Sequence, residues 1–150
     1  MVRIEEELVS SFKSEQQKAM LNILFTANWL RNRQVEFFKP FGLSPQQYNI
    51  LRILRGAKGE RRSMQQVKQR MIDRAPNATR LTDKLIAKGL VERERCEEDR
   101  RVVYLRIARN GLELLSRIDR KYANEERSLR SWLSDDEARA LNEFLDRMRA

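Results

Sequence analysis

Residues 88–107 of the sequence are KGLVERERCEEDRRVVYLRI, and this stretch contains the clearest structural signal in the chain. After Gly89 the pattern has a period of two: basic and acidic residues alternate up to Arg95, and apolar residues occupy every second position from Val103 to Ile107. Such alternation is typical of short β-strands, and the polar run between the two segments is typical of a turn. The sequence therefore predicts a β-hairpin with a charged tip.

Three shorter helices are predicted between residue 44 and this hairpin. Ser44 and Pro45 fit an N-cap followed by the first helical position of one helix. Residues 63–66, SMQQ, fit the capping box of a short second helix, and a third helix begins near Pro76. Two short helices followed by a charged hairpin form a winged helix-turn-helix, which we place at residues 44–107. In that motif the second helix enters the major groove of DNA, and the hairpin can reach an adjacent minor groove.

Helical spacing of apolar residues also marks both ends of the chain. From Ile4 to Phe38 there is no Gly or Pro, and the apolar spacing lapses once, at Gln16, so we expect one long helix with at most one interruption. A helix of this length exceeds the usual range of about 8–20 residues, so part of its apolar stripe is expected to pack against a partner chain. The predicted fold is a single domain, mainly α with a small β-hairpin wing, in which residues 1–39 and 108–150 form N- and C-terminal dimerisation helices.

The composition excludes several classes of function. The chain has 150 residues with no His and one Cys, so it lacks the residue most used in acid–base catalysis and cannot form a Cys/His zinc site. It contains neither of the glycine-rich phosphate-binding motifs, so we expect no enzyme activity, no metal and no cofactor. No apolar run approaches the roughly 18–20 residues of a membrane span. Acids near the N-terminus replace the apolar stretch of a signal peptide, so we expect a cytoplasmic protein and no membrane partner.

The net charge of +9 is concentrated in the middle of the chain, because eight of the nine excess positive charges lie between Arg52 and Arg106. A basic region between near-neutral ends indicates a polyanionic partner. Within it, Asn77, Arg80 and Lys84 are three and four residues apart, which places them on one helix face. Asn and Arg can pair bidentately with adenine and guanine edges, whereas Lys suits a phosphate. Taken alone, this face also fits an ordinary solvated helix surface.

The sequence resembles the MarR (multiple antibiotic resistance regulator) family of winged-helix transcription factors over nearly its whole length. The residues that carry the resemblance lie in the hairpin, the helix before it and the helix start after it: Asp99-Arg100-Arg101, Gly111, residues 79–85 (TRLTDKL) and residues 88–91 (KGLV). The family usually has Leu-Thr at the positions of Ile107 and Ala108, where the Thr caps the next helix. The lost cap should cost about 1 kcal/mol at this helix start.

The resemblance implies an obligate homodimer that binds double-stranded DNA at a pseudo-palindromic operator and regulates transcription, most often as a repressor. It implies that Arg101 enters the minor groove, that Asp99 holds the Arg101 guanidinium in place, and that Arg80 touches bases or nearby backbone. Arg93 and Arg95 alternate with acids, which favours phosphate contacts or strand-edge charge over base contacts. The expected DNA-binding residues are Arg74, Asn77, Thr79, Arg80, Lys84, Arg93, Arg95, Asp99, Arg100 and Arg101.

Members of this family often bind a small aromatic or phenolic effector between the dimerisation and DNA-binding regions. Aromatic residues cluster where the first helix meets the second, and they are the candidate lining of such a pocket: Trp29, Phe37, Phe38, Phe41 and Tyr48. A role in the core and the dimer interface is the favoured alternative. The family's oxidant sensors use an N-terminal Cys and its zinc sensors use His, and this chain has neither. Cys96 is better explained as a small packing residue than as a redox site.

Two functions from different classes stay open at this point. The first is a dimeric, sequence-specific DNA-binding transcriptional regulator that responds to a small-molecule effector. The second is a protein-interaction adaptor that keeps the winged helix but binds DNA only non-specifically. Base preference at physiological salt separates the two functions, because non-specific binding depends almost wholly on phosphate contacts.

Overall fold

The computed structural model describes residues 2–9, 11–73, 77–99 and 101–150, and for residues 124–130 it describes the backbone alone. A short 3-10 turn, Lys39–Phe41, connects the second and third helices. The helices and strands follow in the order α1 (Ile4–Leu8), α2 (Glu15–Phe38), α3 (Pro45–Gly56), β1 (Arg62–Ser63), α4 (Met64–Arg70), α5 (Ala78–Ala87), β2 (Val91–Arg95), β3 (Val103–Ile107), α6 (Arg109–Trp132) and α7 (Asp135–Met148).

The N-terminal helical region is interrupted once. Helix α1 ends at Leu8, and its C-cap, Val9, has a left-handed backbone with φ of 46°. Helix α2 begins after Ser14, whose hydroxyl oxygen accepts a hydrogen bond from the backbone N–H of Gln17 at 3.1 Å. A cap of this kind stabilises a helix start by about 1 kcal/mol. The helical segment predicted for residues 4–38 is therefore two helices, and the break precedes the lapse in the apolar pattern at Gln16.

We call residues 44–107 the winged lobe. Its two helices with a serine cap both have a complete capping box. The Ser44 hydroxyl oxygen accepts from the N–H of Gln47 at 3.1 Å, and Gln47 Oε1 accepts from the N–H of Ser44 at 3.0 Å. Ser63 and Gln66 exchange the same two bonds at 3.2 and 2.9 Å before α4. The predicted helix start at Pro76 lies outside the described residues.

The structure confirms the predicted hairpin and adds a third strand. Strands β2 and β3 pair in antiparallel fashion, with Val91 opposite Ile107 and Arg95 opposite Val103. Strand β1 pairs with the other edge of β3, so the strand order is β1-β3-β2. Because β1 has only two residues, it is too short to show an alternating pattern, and the sequence did not predict it.

The core lies inside the winged lobe and is closed by the first half of α6. Its fully buried large apolar side chains come from the end of α2 and from α3, α4, α5, β3 and α6: Phe38, Ile50, Leu51, Leu54, Val67, Leu85, Leu105, Leu115 and Ile118. Helix α6 begins beside the turn between α5 and β2, where the Leu90 carbonyl oxygen accepts from the N–H of Ala108 at 3.0 Å. The start of α6 is therefore attached directly to the elements that carry the candidate site.

Helix α7 is the least buried long helix in the described part of the chain. It begins with a third capping box, in which Ser134 accepts from the N–H of Glu137 at 3.3 Å, and none of its residues is buried. Leu141, Phe144 and Met148 are 43%, 55% and 58% exposed. The apolar stripe of α7 therefore has little cover from the described residues.

None of the described helices combines the length and the apolar composition that a bilayer-spanning helix needs.

Candidate DNA-binding surface

Helix α5 has one face in the lobe core and one face toward solvent. Ala78, Thr82 and Leu85 are buried, and the Thr82 hydroxyl donates a hydrogen bond to the Ala78 carbonyl oxygen at 2.8 Å. Arg80 and Lys84 are one turn apart, so both side chains extend from the same side of the helix. The residues of this region that were predicted to bind DNA and that the structure describes are all exposed: Asn77, Thr79, Arg80 and Lys84.

Asp99 makes two hydrogen bonds at the tip of the hairpin. One carboxylate oxygen of Asp99 accepts from the backbone N–H of Arg101 at 2.9 Å, and the Asp99 carbonyl oxygen accepts from the N–H of Val102 at 2.9 Å. The contact of Asp99 is thus with the backbone of Arg101, not with the guanidinium as we expected. The carboxylate orders the chain from which the exposed Arg101 side chain extends. Arg100 and Arg74, both predicted to bind DNA, lie outside the described residues.

The two arginines of β2 have different surroundings. Arg93 forms an ion pair with the Asp83 carboxylate of α5. Arg95 is exposed, and no ion pair within the described part of the chain includes it. Alternate residues of a strand share a face, so Val91, Arg93 and Arg95 all lie on the same face of β2. Arg93 is thus held against α5, and the assignment of both arginines to phosphate contact or to strand-edge charge stays a prediction.

Part of the positive charge before α4 is also paired within the chain. Arg55 Nη1 lies 2.5 Å from Asp119 Oδ2, which joins α3 to α6. Arg61 Nη1 lies 2.7 Å from Glu94 Oε1, and its guanidinium carbon is 4.1 Å from the centroid of the Tyr104 ring. The partners are 64 and 33 residues apart in the sequence, so a count of charges along the chain does not reveal them.

Four of the five residues predicted to line an effector pocket pack on one another. The rings of Phe38 and Tyr48 stack with their centroids 4.2 Å apart, and the ring centroids of Phe37 and Phe41 are 6.0 Å apart. Tyr122 of α6, which the sequence did not single out, packs edge-on against Phe37 at 5.4 Å. Burial raises the pKa of Tyr48, with the nearby Arg52 acting in the opposite direction. The rings fill the space between α2, α3 and α6, as expected of core residues.

Trp29 lies apart from this aromatic cluster. Its ring centroid is 5.6 Å from that of Trp132, and the guanidinium carbon of Arg33 lies 5.1 and 5.3 Å from the two rings. Trp29 precedes Phe37 by eight residues, which is about 12 Å along a helix, so closeness in sequence did not mean contact. The two tryptophans are 43% and 44% exposed.

An open cavity of about 190 Å³ lies between α2, the start of α3 and the residues that follow α4. Val35 and Ile72 give it apolar surface, and its polar lining includes Arg31, Gln46 and Asn49. The Asn49 side-chain oxygen accepts from the N–H of Ile72 at 3.0 Å, which holds the turn against α3. No pattern in the sequence predicts this cavity, because its lining comes from three separate segments.

Within the residues that the structure describes, no group of three or more His, Cys, Asp or Glu side chains could hold a metal ion. Cys96 is a free thiol, half-buried at the end of β2. Half-burial is consistent with the packing role that we favour for it.

The helices α4 and α5 and the sheet that follows them define a winged helix-turn-helix protein, a class in which α5 is the recognition helix and the hairpin is the wing. Residues 41–102 match the model of the MarR family. HTH-type transcriptional regulator MhqR of Bacillus subtilis (strain 168) is 32% identical over 107 residues, which are 71% of this chain and 72% of that protein. The chain therefore belongs to the MarR family, whose members are transcription factors and not enzymes.

Solved structures of family members have the same fold. The crystal structure of a MarR transcription factor from Planctomyces limnophilus is 36% identical, with a TM-score of 0.70 over 91% of this chain and 98% of that chain. A mutant MarR from E. coli complexed with operator DNA is 21% identical, with a TM-score of 0.74 over 92% of this chain and 99% of that chain. At 21% identity, the similarity to the E. coli protein shows only that the two chains share a fold.

Proposed function

We propose that this protein is a homodimeric, sequence-specific DNA-binding repressor that responds to a small-molecule effector. The observation that carries the proposal is the exposed row of Asn77, Arg80 and Lys84 on the recognition helix, together with the exposed Arg101 on the wing. The buried face of α5 fixes the direction of this row, so the row can face a major groove while the wing reaches the adjacent minor groove. An Arg is favoured in a narrow A·T-rich minor groove by the enhanced negative potential there.

The other predicted contacts have supporting roles in this proposal. Thr79 and Arg95 are exposed and are assigned to phosphates, which position the protein without reading bases. Asp99 shapes the turn that presents Arg101. Arg74 and Arg100 stay among the DNA-binding residues that the sequence predicts.

We further propose that residues 1–39 and 108–150 supply the dimerisation helices and that residues 44–107 form the DNA-binding lobe. Helix α7 and the outer side of α2 expose large apolar side chains that the described residues do not cover: Met20, Leu24, Leu141, Phe144 and Met148. An extended exposed apolar surface of this kind is typical of an interaction site. A two-fold dimer would present two recognition helices, which fits half-sites about one helical turn apart. The E. coli protein with this fold was solved on operator DNA.

The cavity between α2, the start of α3 and the residues that follow α4 is the proposed effector site. The aromatic cluster is less suitable, because its rings already pack on one another. A cavity of about 190 Å³ is below the usual range of about 300–1,000 Å³, which limits the ligand to about one aromatic ring. Arg31 could pair with a carboxylate or phenolate on such a ring, while Val35 and Ile72 contact its apolar face. A ligand there would bias the position of α5 relative to α2.

Selection of random duplex DNA by the purified protein at about 150 mM salt tests the proposal, because specificity is meaningful only at a defined ionic strength. We expect a two-fold symmetric motif. Arg80→Ala should then relax base preference at one position of each half-site by about 1–3 kcal/mol. Arg139→Ala removes the same charge from the polar side of α7 and should leave the motif unchanged.

The adaptor function predicts a different result in the same experiment. A folded protein that selects no motif, and whose Arg80→Ala variant binds all sequences more weakly by the same factor, would be a non-specific DNA binder. Sequence-specific repression would then be rejected as its main function.

A further inference from the structure

An ion pair between Asp83 and Arg93 connects the two elements that face adjacent grooves of DNA. Asp83 belongs to the recognition helix and Arg93 to the first strand of the wing. The side chains are 51% and 36% exposed, so the pair lies at the surface between helix and wing. Exposed pairs of this kind contribute about 0–1 kcal/mol to folding. Stability alone therefore gives little reason for this contact.

The position of the pair relative to the turn between α5 and β2 points to a mechanical role. The turn passes through Gly89, whose φ is 69°, and is closed by a hydrogen bond from the N–H of Leu90 to the Leu85 carbonyl oxygen at 3.0 Å. The ion pair lies farther along the wing, two residues or about 7 Å beyond the first residue of β2. A contact beyond a turn limits rotation about that turn, so the pair can set the angle between the recognition helix and the wing.

The pair also decides which arginine of β2 is available for DNA. The Arg93 guanidinium is engaged by the Asp83 carboxylate. Arg95 lies on the same strand face, two residues closer to the tip, and has no ion pair with any described residue. Arg93 and Arg95 are thus the same residue type on the same strand face, and only Arg93 has an ion pair with a described residue. A variant of either arginine is therefore a matched control for a variant of the other.

We propose that Asp83 and Arg93 are positioning residues whose ion pair sets the angle at which helix and wing enter adjacent grooves, while Arg95 is the phosphate-binding arginine of β2. This inference rests on the proposed sequence-specific DNA binding. It gives the two exposed arginines separate functions that their alternation in the sequence could not distinguish.

Asp83→Asn provides the sharpest test, because charge and geometry predict opposite results. Removing an acid near DNA should strengthen binding if charge alone matters. If the pair sets the angle, both Asp83→Asn and Arg93→Gln should weaken operator binding about fivefold, and the double variant should be no weaker than either single variant. The charge-swapped variant Asp83→Arg with Arg93→Asp should restore binding to within about twofold.

The salt dependence of binding separates positioning from phosphate contact. Arg95→Gln should lower the slope of log affinity against log salt by about one, whereas Asp83→Asn and Arg93→Gln should leave this slope unchanged. Asp136→Asn is the matched control, because it also releases an arginine from an exposed ion pair, Arg139 to Asp136 at 2.7 Å, which lies on α7 and away from helix and wing. It should not weaken binding. Melting temperatures of all variants should stay close to that of the wild type.

Other outcomes would overturn the inference. Tighter binding by Asp83→Asn, or a slope lowered by about one in Arg93→Gln, would make Arg93 a phosphate contact. Additive losses in the double variant, or losses that follow the melting temperature, would reject the positioning role. These results are distinct from a failure of the proposed function, in which the wild-type protein itself selects no motif.

Discussion

At the scale of single residues, Gly111 shows a steric requirement that depends on the whole fold. A Cβ atom at this position would lie 2.4 Å from the Leu90 carbonyl oxygen and 2.8 Å from Cγ1 of Ile107. The first of these atoms belongs to the backbone and cannot turn aside as a flexible side chain can. Helix α6 therefore approaches the exit of the recognition helix at a distance that only glycine allows.

Gly111→Ala should lower the free energy of unfolding by about 1–3 kcal/mol, although alanine is the better helix former, because the added methyl group overlaps the Leu90 backbone. Chemical denaturation monitored by circular dichroism measures this loss. Gly56→Ala is the matched control: Gly56 ends α3, and its added Cβ would meet no atom within 4 Å. That variant should be unchanged or more stable by about 0.4–1 kcal/mol. Equal stability of Gly111→Ala and the wild type would contradict the steric argument.

The sequence predicted which residues are exposed better than it predicted their partners. Helical spacing alone placed Arg80 and Lys84 on the solvent side of α5, because the period of a helix fixes its faces. The same reasoning could not show that Asp99 contacts a backbone N–H or that Arg93 meets Asp83. Both contacts depend on side-chain rotamers and on the distance between elements, which have no periodic signature.

At the scale of elements, capping motifs in the sequence predicted helix starts correctly where a single serine determines the start. Ser63 was predicted to open a helix through a capping box, and it makes the two reciprocal bonds, as Ser134 does before α7. The sequence did not predict the break between α1 and α2, although Gln17 lies three residues after Ser14. The capping box there is incomplete, because the Gln17 side chain accepts from the N–H of Lys13 and not from that of Ser14. Local chemistry thus predicts helix starts, but it does not always distinguish a continuous helix from an interrupted one.

The capping box of α7 makes this helix sensitive to pH. Hydrogen bonds from the N–H and the hydroxyl of Ser134 hold the pKa of Glu137 below its ordinary value of 4.5. A carboxyl whose pKa is lowered by folding stabilises the folded state above its ordinary pKa, and this contribution is lost as the pH falls through the lowered value. Glu137→Gln keeps an acceptor oxygen but cannot titrate. Its helix content should therefore decrease less than that of the wild type on acidification.

Far-UV circular dichroism between about pH 6 and about pH 3 measures this difference. Glu143→Gln, on the same helix but without a capping bond, should follow the wild-type profile. Identical profiles for Glu137→Gln and the wild type would show that the carboxylate form of the cap has no special importance.

At the scale of the whole molecule, the excess positive charge has two uses. The sequence correctly located that charge between Arg52 and Arg106, but it could not divide it between DNA and internal partners. Arg55 connects α3 to α6 through Asp119, and Arg61 connects the segment before β1 to the wing through Glu94. Part of the basic segment therefore holds the lobe together, and the cations of α5 and the wing tip are the ones directed toward solvent.

The exposed stripe of α7 gives a prediction for the assembly as a whole. Leu141→Glu combined with Phe144→Glu places two charges on the surface that we propose a second copy covers, so the dimer should dissociate. Both residues are exposed in the single chain, so the core within residues 44–107 should stay folded. A far-UV circular dichroism spectrum equal to that of the wild type checks this. Sedimentation equilibrium measures the change from dimer to monomer. Glu143→Lys, on the polar side of α7, is the control and should stay dimeric.

Loss of the dimer should weaken operator binding far more than loss of any one contact. Two recognition helices on one dimer bind the second half-site at a high effective concentration, which is worth about 100-fold to 10,000-fold in affinity. The Leu141→Glu, Phe144→Glu variant should lose at least about 100-fold for the full operator but bind a single half-site as the wild-type lobe does. A variant that stays dimeric would show that α7 is covered by something other than a second copy. A monomer with full operator affinity would show that one lobe is sufficient for recognition.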